Sequence, residues 1–124
     1  MRDFRELKVW EKAHALTLDV YRTTAEFPKN EMYGLTSQVR RAAGSIGANI
    51  AEGGGKNSRP DFARFLRIGL GSASELEYHL LLLRDLGYLE SEKYRRLSGE
   101  VVEVKKMLTG FIQYLCGGRT GTEG

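Results

Sequence analysis

The side chains best suited to catalysis or metal binding are few in this sequence and lie far apart. There are two histidines, His14 and His79, and one cysteine, Cys116. The histidines fall on different predicted helices, and the sequence contains neither a His-Glu-x-x-His motif nor a nucleophile elbow. Glu75 and Glu77 could form a catalytic carboxylate pair, but ion pairs with Arg40 or Arg41 on the second predicted helix explain them more simply. We therefore expect no enzymatic activity, no metal and no cofactor.

A run of three glycines followed by a lysine, residues 53–56, resembles a phosphate-binding loop in composition. A Walker motif would also require glycine at Ile50 and a strand before the loop, whereas a helical pattern precedes it. We therefore reject nucleotide hydrolysis. Lys56 and Arg59 flank the start of the next predicted helix, whose free backbone amides favour an anion. A mobile, solvated loop without a ligand is the alternative.

Positive charge is in modest excess, with a formal net charge of +3 and an isoelectric point near 9.1. This balance permits contact with nucleic acid without demonstrating it. Much of the charge surrounds the second and third predicted helices, and scattered solvation is the alternative to a phosphate-binding surface. We expect Tyr33 and Tyr78 to pack at the edge of the core, with base stacking as the alternative. The candidate nucleic-acid-binding residues are Arg40, Arg41, Lys56, Arg59, Arg64 and Arg67.

Four stretches of helical periodicity must position these residues, at about 5–27, 35–52, 58–86 and 91–115. The last two carry apolar residues in an unbroken 4-3 spacing, the period at which antiparallel helices pack. The connections are short, so neighbouring helices must run in opposite directions. We predict an all-α fold, an antiparallel up-down-up-down four-helix bundle of residues 1–116. The tail 117–124 has nothing to bury and is predicted to be disordered.

The second predicted helix is unusually rich in alanine and glycine, and Gly69 interrupts the apolar seam of the third. Each glycine inside a helix costs about 1 kcal/mol relative to alanine. Close approach of the two helices would offset this cost. We therefore expect the backbone of the second helix to pass near Gly69.

The first predicted helix carries two apolar stripes, one that includes Val9 and Leu16 and a second that includes Trp10 and Leu18. Together they cover more than half of its circumference, whereas packing within one bundle needs a stripe little wider than about 100°. The second stripe predicts a homo-oligomer. A polar stripe on the second helix is either solvated or a contact between subunits. The subunit-interface candidates are Trp10, His14, Leu18, Tyr21, Gln38, Ser45, Asn49 and Glu52.

The chain shows no sign of a membrane span or a secretory signal. Its first residues lack an apolar core, and no run approaches the roughly 18 apolar residues that a spanning helix needs. The single cysteine provides no disulfide framework, as is typical of a reducing compartment. We expect a cytoplasmic protein.

Several segments resemble the four-helix bundle proteins encoded within intervening sequences of bacterial 23S rRNA genes. The resemblance spans roughly residues 4–115 and is most specific in Tyr-Gly-Leu-Thr-Ser-Gln at 33–38 and Asn-Ile-Ala-Glu-Gly at 49–53. It implies an up-down bundle that assembles into a homopentamer. It also implies a likeness in shape to the accessory proteins of diversity-generating retroelements, which bind a reverse transcriptase and nucleic acid. Many members have proline where Gly47 stands here, which leaves the bend of the second helix open.

Two functions remain in competition. The first is a non-enzymatic oligomer that binds RNA or another nucleic acid through a basic surface. The second is a protein-binding adaptor, such as an accessory subunit of a reverse transcriptase.

Overall fold

The computed structural model describes residues 3–31 and 33–117, and these form four α-helices and no strand. The helices are α1 (Lys8–Thr24), α2 (Leu35–Gly54), α3 (Arg59–Asp85) and α4 (Ser91–Leu115). Short 3-10 turns at Phe4–Glu6 and Lys29–Glu31 precede α1 and α2. The fold is all-α, as predicted, and is consistent with a four-helix bundle. Residues 118–124, most of the predicted tail, lie outside the described residues.

Helix α1 is shorter than the predicted 5–27 at both ends. At its start the Asp3 carboxylate accepts a hydrogen bond from the Arg5 backbone amide at 3.0 Å, which favours a separate turn over a continuous helix. Leu7 is extended between that turn and α1. At the other end Pro28 disfavours helical geometry at the residue before it, and α1 ends at Thr24.

The glycines at the end of α2 allow it to touch the start of α3. A Cβ atom on Gly53 would lie 2.8 Å from Phe62 Cδ1 and 2.9 Å from Phe65 Cβ, so no larger residue fits without movement. α2 runs through Gly53 to Gly54, beyond the predicted end at residue 52. Further along, a Cβ on Gly69 would lie 3.6 Å from the Ile46 carbonyl oxygen. The predicted approach of α2 to Gly69 is therefore confirmed.

Polar groups also lie between α2 and α3. The hydroxyl oxygens of Ser45 and Ser72 are 2.8 Å apart, and Asn49 donates from Nδ2 to the Ser45 carbonyl at 2.8 Å. Arg41 on α2 forms an ion pair with Glu75 on α3 at 3.6 Å. The serine contact and the Arg41–Glu75 ion pair join α2 to α3, whereas the hydrogen bond of Asn49 is internal to α2.

The end of the bundle that carries the connections 25–34 and 86–90 is called the loop end below. Here Tyr88 donates its hydroxyl hydrogen to Glu31 Oε2 at 2.7 Å, and its ring centroid lies 5.6 Å from that of Phe27. The hydrogen bond to Glu31, followed by burial, raises the pKa of Tyr88. The two connections are thereby joined.

Apolar side chains from all four helices form one core. The seams predicted for α3 and α4 point inward along their whole length, with Leu66 and Leu108 fully buried. Two buried polar atoms among the described residues lack a hydrogen-bond partner, Thr36 Oγ1 and His79 Nδ1. The largest fully buried side chains include Leu16, Ile46, Ile50, Leu66, Leu76, Leu80, Leu83, Leu97 and Leu108.

Candidate nucleic-acid interface

Four of the six predicted cations lie together at the end of the bundle opposite the loop end. This basic end consists of the turn between α2 and α3 and the C-terminal part of α4, and its cations are Lys56, Arg59, Arg64 and Arg67. The three arginines lie on α3, where a rise of 1.5 Å per residue spreads them over about 12 Å. All four side chains belong to exposed residues. They form two pairs at this end, Lys56 with Arg64 on the ring of Phe65 and Arg59 with Arg67 beside the end of α4.

An aromatic ring underlies two of these cations. The Lys56 ammonium lies 5.0 Å from the centroid of the Phe65 ring, and the Arg64 guanidinium carbon lies 4.6 Å from the same centroid. Both distances fall within the range of cation–π attraction. Phe65 is itself buried at the contact with Gly53, so the ring is a fixed platform.

A second ring holds Arg59. Its guanidinium carbon lies 4.9 Å from the centroid of Tyr114, and Nη2 donates to the tyrosine hydroxyl at 3.4 Å. Tyr114 belongs to α4 and packs beside Phe111, whose ring centroid is 6.4 Å away. Arg67 also reaches α4, where its Nη2 lies 3.4 Å from Cys116 Sγ. The antiparallel packing of α3 and α4 thus brings residues from the start of one helix to the end of the other.

The cations of the basic end are poorly compensated by carboxylates. Arg64 pairs with Asp61 at 3.3 Å. In the described part of the chain, Lys56, Arg59 and Arg67 form no ion pair within 4 Å. The first turn of α3 adds its backbone amides, one of which is capped by Ser58 Oγ at 3.2 Å. An anion approaching this end therefore meets three cations that form no ion pair with a carboxylate of the described residues.

The other two candidate nucleic-acid-binding residues, Arg40 and Arg41, do not lie at the basic end. Arg40 lies about 21 Å along α2 from Gly54, given the rise of 1.5 Å per residue. Its Nε donates to Thr24 Oγ1 at 2.8 Å, and its guanidinium carbon lies 4.6 Å from the Tyr21 ring centroid. Arg41 pairs with Glu75, which agrees with the ion pair suggested for that glutamate. Arg40 thus contacts α1, and Arg41 forms a solvent-exposed ion pair with α3.

The tyrosines also differ from expectation. Tyr33 is 97% exposed and Tyr78 is 59% exposed, so neither packs at the edge of the core. The rings beneath the cations are instead Phe65 and Tyr114, which sequence reasoning did not select. The signal was present, since residues at equal distances from the connection 86–90 must be neighbours on α3 and α4. Counting outward from the middle of that connection places Arg59 opposite residue 117, within one helical turn of Tyr114.

The outer surface of α1 and α2 contains part of the predicted subunit interface. Leu18 is 39% exposed and Tyr21 is 46% exposed, and His14 is also an exposed residue. Trp10 is only half-buried but is already in contact with its own chain. Its ring stacks on His14 at 4.7 Å between centroids, and its Nε1 lies 3.4 Å from the position of a Cβ on Gly47.

The polar stripe of α2 divides in two. Ser45 and Asn49 are half-buried: Ser45 contacts Ser72 of α3, and Asn49 donates to Ser45 within α2. Gln38 and Glu52 remain exposed. Beside α1, a Cβ on Gly44 would meet no atom within 4 Å. These observations define an outer surface of the bundle, called the α1–α2 face, which comprises His14, Leu18, Tyr21, Gly44 and Ala48.

A cluster of charges joins α1 to α4 in the half of the bundle nearer the loop end. Arg96 forms ion pairs with Asp19 and, at 3.4 Å, with Glu100. Burial raises the pKa of Glu100, and the negative charge of Asp19 and a hydrogen bond with it act in the same direction. Lys12 and Arg22 line a cavity of about 430 Å³ with these two carboxylates. A charged cluster of Asp19, Arg96 and Glu100 therefore joins α1 to α4 beside the apolar core.

Histidine and cysteine side chains do not converge. His14 stacks on Trp10, His79 is buried in α3, and Cys116 lies beside Arg67. Over residues 3–31 and 33–117, no group of three histidine, cysteine or acidic side chains could hold a metal ion. No helix in this part of the chain has the length and apolar character of a membrane span.

Comparison with known proteins identifies the family of this chain. The 23S rRNA-intervening sequence protein family matches residues 5–110. A crystal structure of a protein of unknown function from the S23 ribosomal protein family of Bacteroides thetaiotaomicron is 30% identical, with a TM-score of 0.77. That match covers 85% of this chain and 98% of the other. A comparison with curated proteins gives no match. The chain belongs to the 23S rRNA-intervening sequence protein family.

Proposed function

We propose that this protein is a non-enzymatic, self-associating bundle that binds RNA through its basic end. The observation that carries the proposal is the patch of four cations, three of which have no carboxylate partner among the described residues. Lysines and arginines that lack protein counterions bind phosphates and release the ions condensed on the nucleic acid. The patch lies on two packed helix ends, so its geometry is set by the fold.

Self-association is part of the proposal because it would multiply the patch. The α1–α2 face presents exposed leucine and tyrosine beside a helix surface of glycine and alanine. Small residues let a second chain come close, and exposed apolar side chains favour burial against it. We propose the pentamer that the family resemblance implies. Several basic ends on one assembly would raise the avidity for a long RNA without any new contact.

The binding should depend steeply on salt. Two to four phosphate contacts to a single strand predict a slope of log K against log salt between about −1.4 and about −2.8 for one chain, and a larger slope for an assembly. Fluorescence anisotropy with a structured RNA, measured between low and physiological salt, gives this slope. Arg59→Glu and Arg67→Glu should each weaken binding about tenfold or more, since each removes a charge-assisted contact and adds repulsion.

Arg95→Glu is the matched control for these variants. Arg95 is exposed on α4 but lies about 30 Å from the end of that helix at Leu115. Its reversal makes the same change in net charge and should have a much smaller effect. Equal losses for Arg59→Glu and Arg95→Glu would show that only net charge matters, and the basic end would then be the wrong site.

The oligomer is tested by size-exclusion chromatography with light scattering, with absorbance recorded at 260 and 280 nm. Leu18→Glu and Tyr21→Glu should convert the assembly to monomers if the α1–α2 face is the interface. An assembly without bound nucleic acid, and without affinity for added RNA, would favour the protein-binding adaptor. Turnover of a substrate that is lost on substitution of Glu52 or Glu75 would contradict a non-enzymatic role.

A further inference from the structure

The basic end pairs its arginines with aromatic rings, and this combination restricts the form of RNA that fits it. Arg59 lies over Tyr114, and Arg64 lies over Phe65, with guanidinium carbons 4.9 Å and 4.6 Å from the ring centroids. Such contacts hold a flexible side chain in one place before any ligand arrives. Less conformational entropy is then lost when the guanidinium binds.

The size of the patch argues against a duplex. Proteins that read double-stranded RNA contact phosphates and 2′-hydroxyls over about 16 base pairs, across two successive minor grooves. The arginines of the basic end extend over about 12 Å. One patch therefore covers only a few nucleotides, which is the scale of a loop, a bulge or a strand end.

Unpaired nucleotides also offer what a duplex hides. Their bases can stack on aromatic rings or on guanidinium planes, while the phosphates contact lysine and arginine. Resting on the function proposed above, we propose that the basic end binds unpaired nucleotides of RNA. Arg59 and Arg64, supported by Tyr114 and Phe65, stack on bases, and Lys56 and Arg67 contact phosphates.

The test compares one RNA sequence in two forms, an unpaired 12-nucleotide strand and the same strand annealed to its complement. Anisotropy titrations of the intact protein at physiological salt should show tighter binding of the unpaired form. Arg59→Lys keeps the charge but loses the guanidinium plane. The affinity for unpaired RNA should fall about fivefold or more, which corresponds to about 1 kcal/mol, and the salt slope should stay unchanged.

The loop end provides a matched control. Arg84 lies 4.7 Å from the ring centroid of Tyr94, so Arg84→Lys makes the same chemical change on a similar pair outside the patch. It should leave binding unchanged. Tyr114→Leu, with Tyr94→Leu as its control, removes the supporting ring and should reproduce the loss seen for Arg59→Lys.

The outcomes separate this inference from the proposed function. If neither RNA form binds above the nonspecific level, the proposed function fails. If RNA binds through Arg59 and Arg67 but the duplex binds as tightly as the unpaired strand, the proposed function stands and this inference is overturned. The same follows if Arg59→Lys and Tyr114→Leu both bind unpaired RNA like the unsubstituted protein.

Discussion

Replacing Gly53 by alanine tests the contact that sets the basic end in place. A helical glycine replaced by alanine normally gains about 1 kcal/mol of stability. At Gly53 the new Cβ would lie 2.8 Å and 2.9 Å from atoms of Phe62 and Phe65, and 3.2 Å from the Phe62 carbonyl oxygen. Because Phe65 Cβ and this carbonyl are fixed to the α3 backbone, α3 must shift. Overpacking of this kind costs about 1–3 kcal/mol, so Gly53→Ala should be neutral to destabilising.

Gly99→Ala is the matched control, since a Cβ on this helical glycine would meet no atom within 4 Å. It should gain most of the 1 kcal/mol, which leaves the two variants about 1–3 kcal/mol apart. Urea unfolding followed by circular dichroism measures both free energies of unfolding at one protein concentration. Thermal midpoints should differ by about 4 °C or more. If Gly53→Ala proved as stable as Gly99→Ala, the close packing of α2 on α3 would be refuted.

Two further predictions concern buried and titrating groups. Thr36→Val should raise the free energy of unfolding by about 1 kcal/mol, measured by urea titration. The reason is that Thr36 Oγ1 is buried without a hydrogen-bond partner and valine has nearly the same shape. A loss of stability would mean that the hydroxyl is hydrogen-bonded in the folded protein. The pKa of Glu100 is raised in the folded protein, so its contribution to stability is present below the ordinary value of 4.5 and is lost as the pH rises through the raised pKa. Glu100→Gln cannot titrate, so its stability relative to the unsubstituted protein should increase over this pH interval, and a difference independent of pH would contradict the shift.

The core could be predicted because it depends on spacing along one helix. The 4-3 repeat of α3 and α4 identifies Leu66, Leu80 and Leu108 as inward-facing, and each is buried. The ends of α1 could not be predicted in the same way. Its start depends on a hydrogen bond that the Asp3 carboxylate accepts from Arg5, which periodicity does not detect. Pro28 predicts an end at Phe27, but a turn closed by the Phe27 amide on the Thr24 carbonyl ends the helix three residues earlier.

The basic end was only partly predictable because it depends on distances between helices. Arg40 and Lys56 belong to the same stretch of sequence, yet the length of α2 separates them. Arg59 and Tyr114 lie 55 positions apart in sequence and are in contact. Composition and charge therefore identified candidate cations but not which of them share a surface, since the register of α3 on α4 decides that.

The contact between Ser45 and Ser72 favours one alignment of α2 along α3. Apolar seams that repeat every seven residues allow one helix to slide along another by a heptad with little loss of burial. Such a slide would bring Ser72 opposite Gln38 or Glu52 in place of Ser45, and would move Gly53 away from the two phenylalanines. Alternative alignments thus replace the short serine contact by a longer side chain and lose the fit of Gly53 against α3, which favours the observed alignment of these two helices.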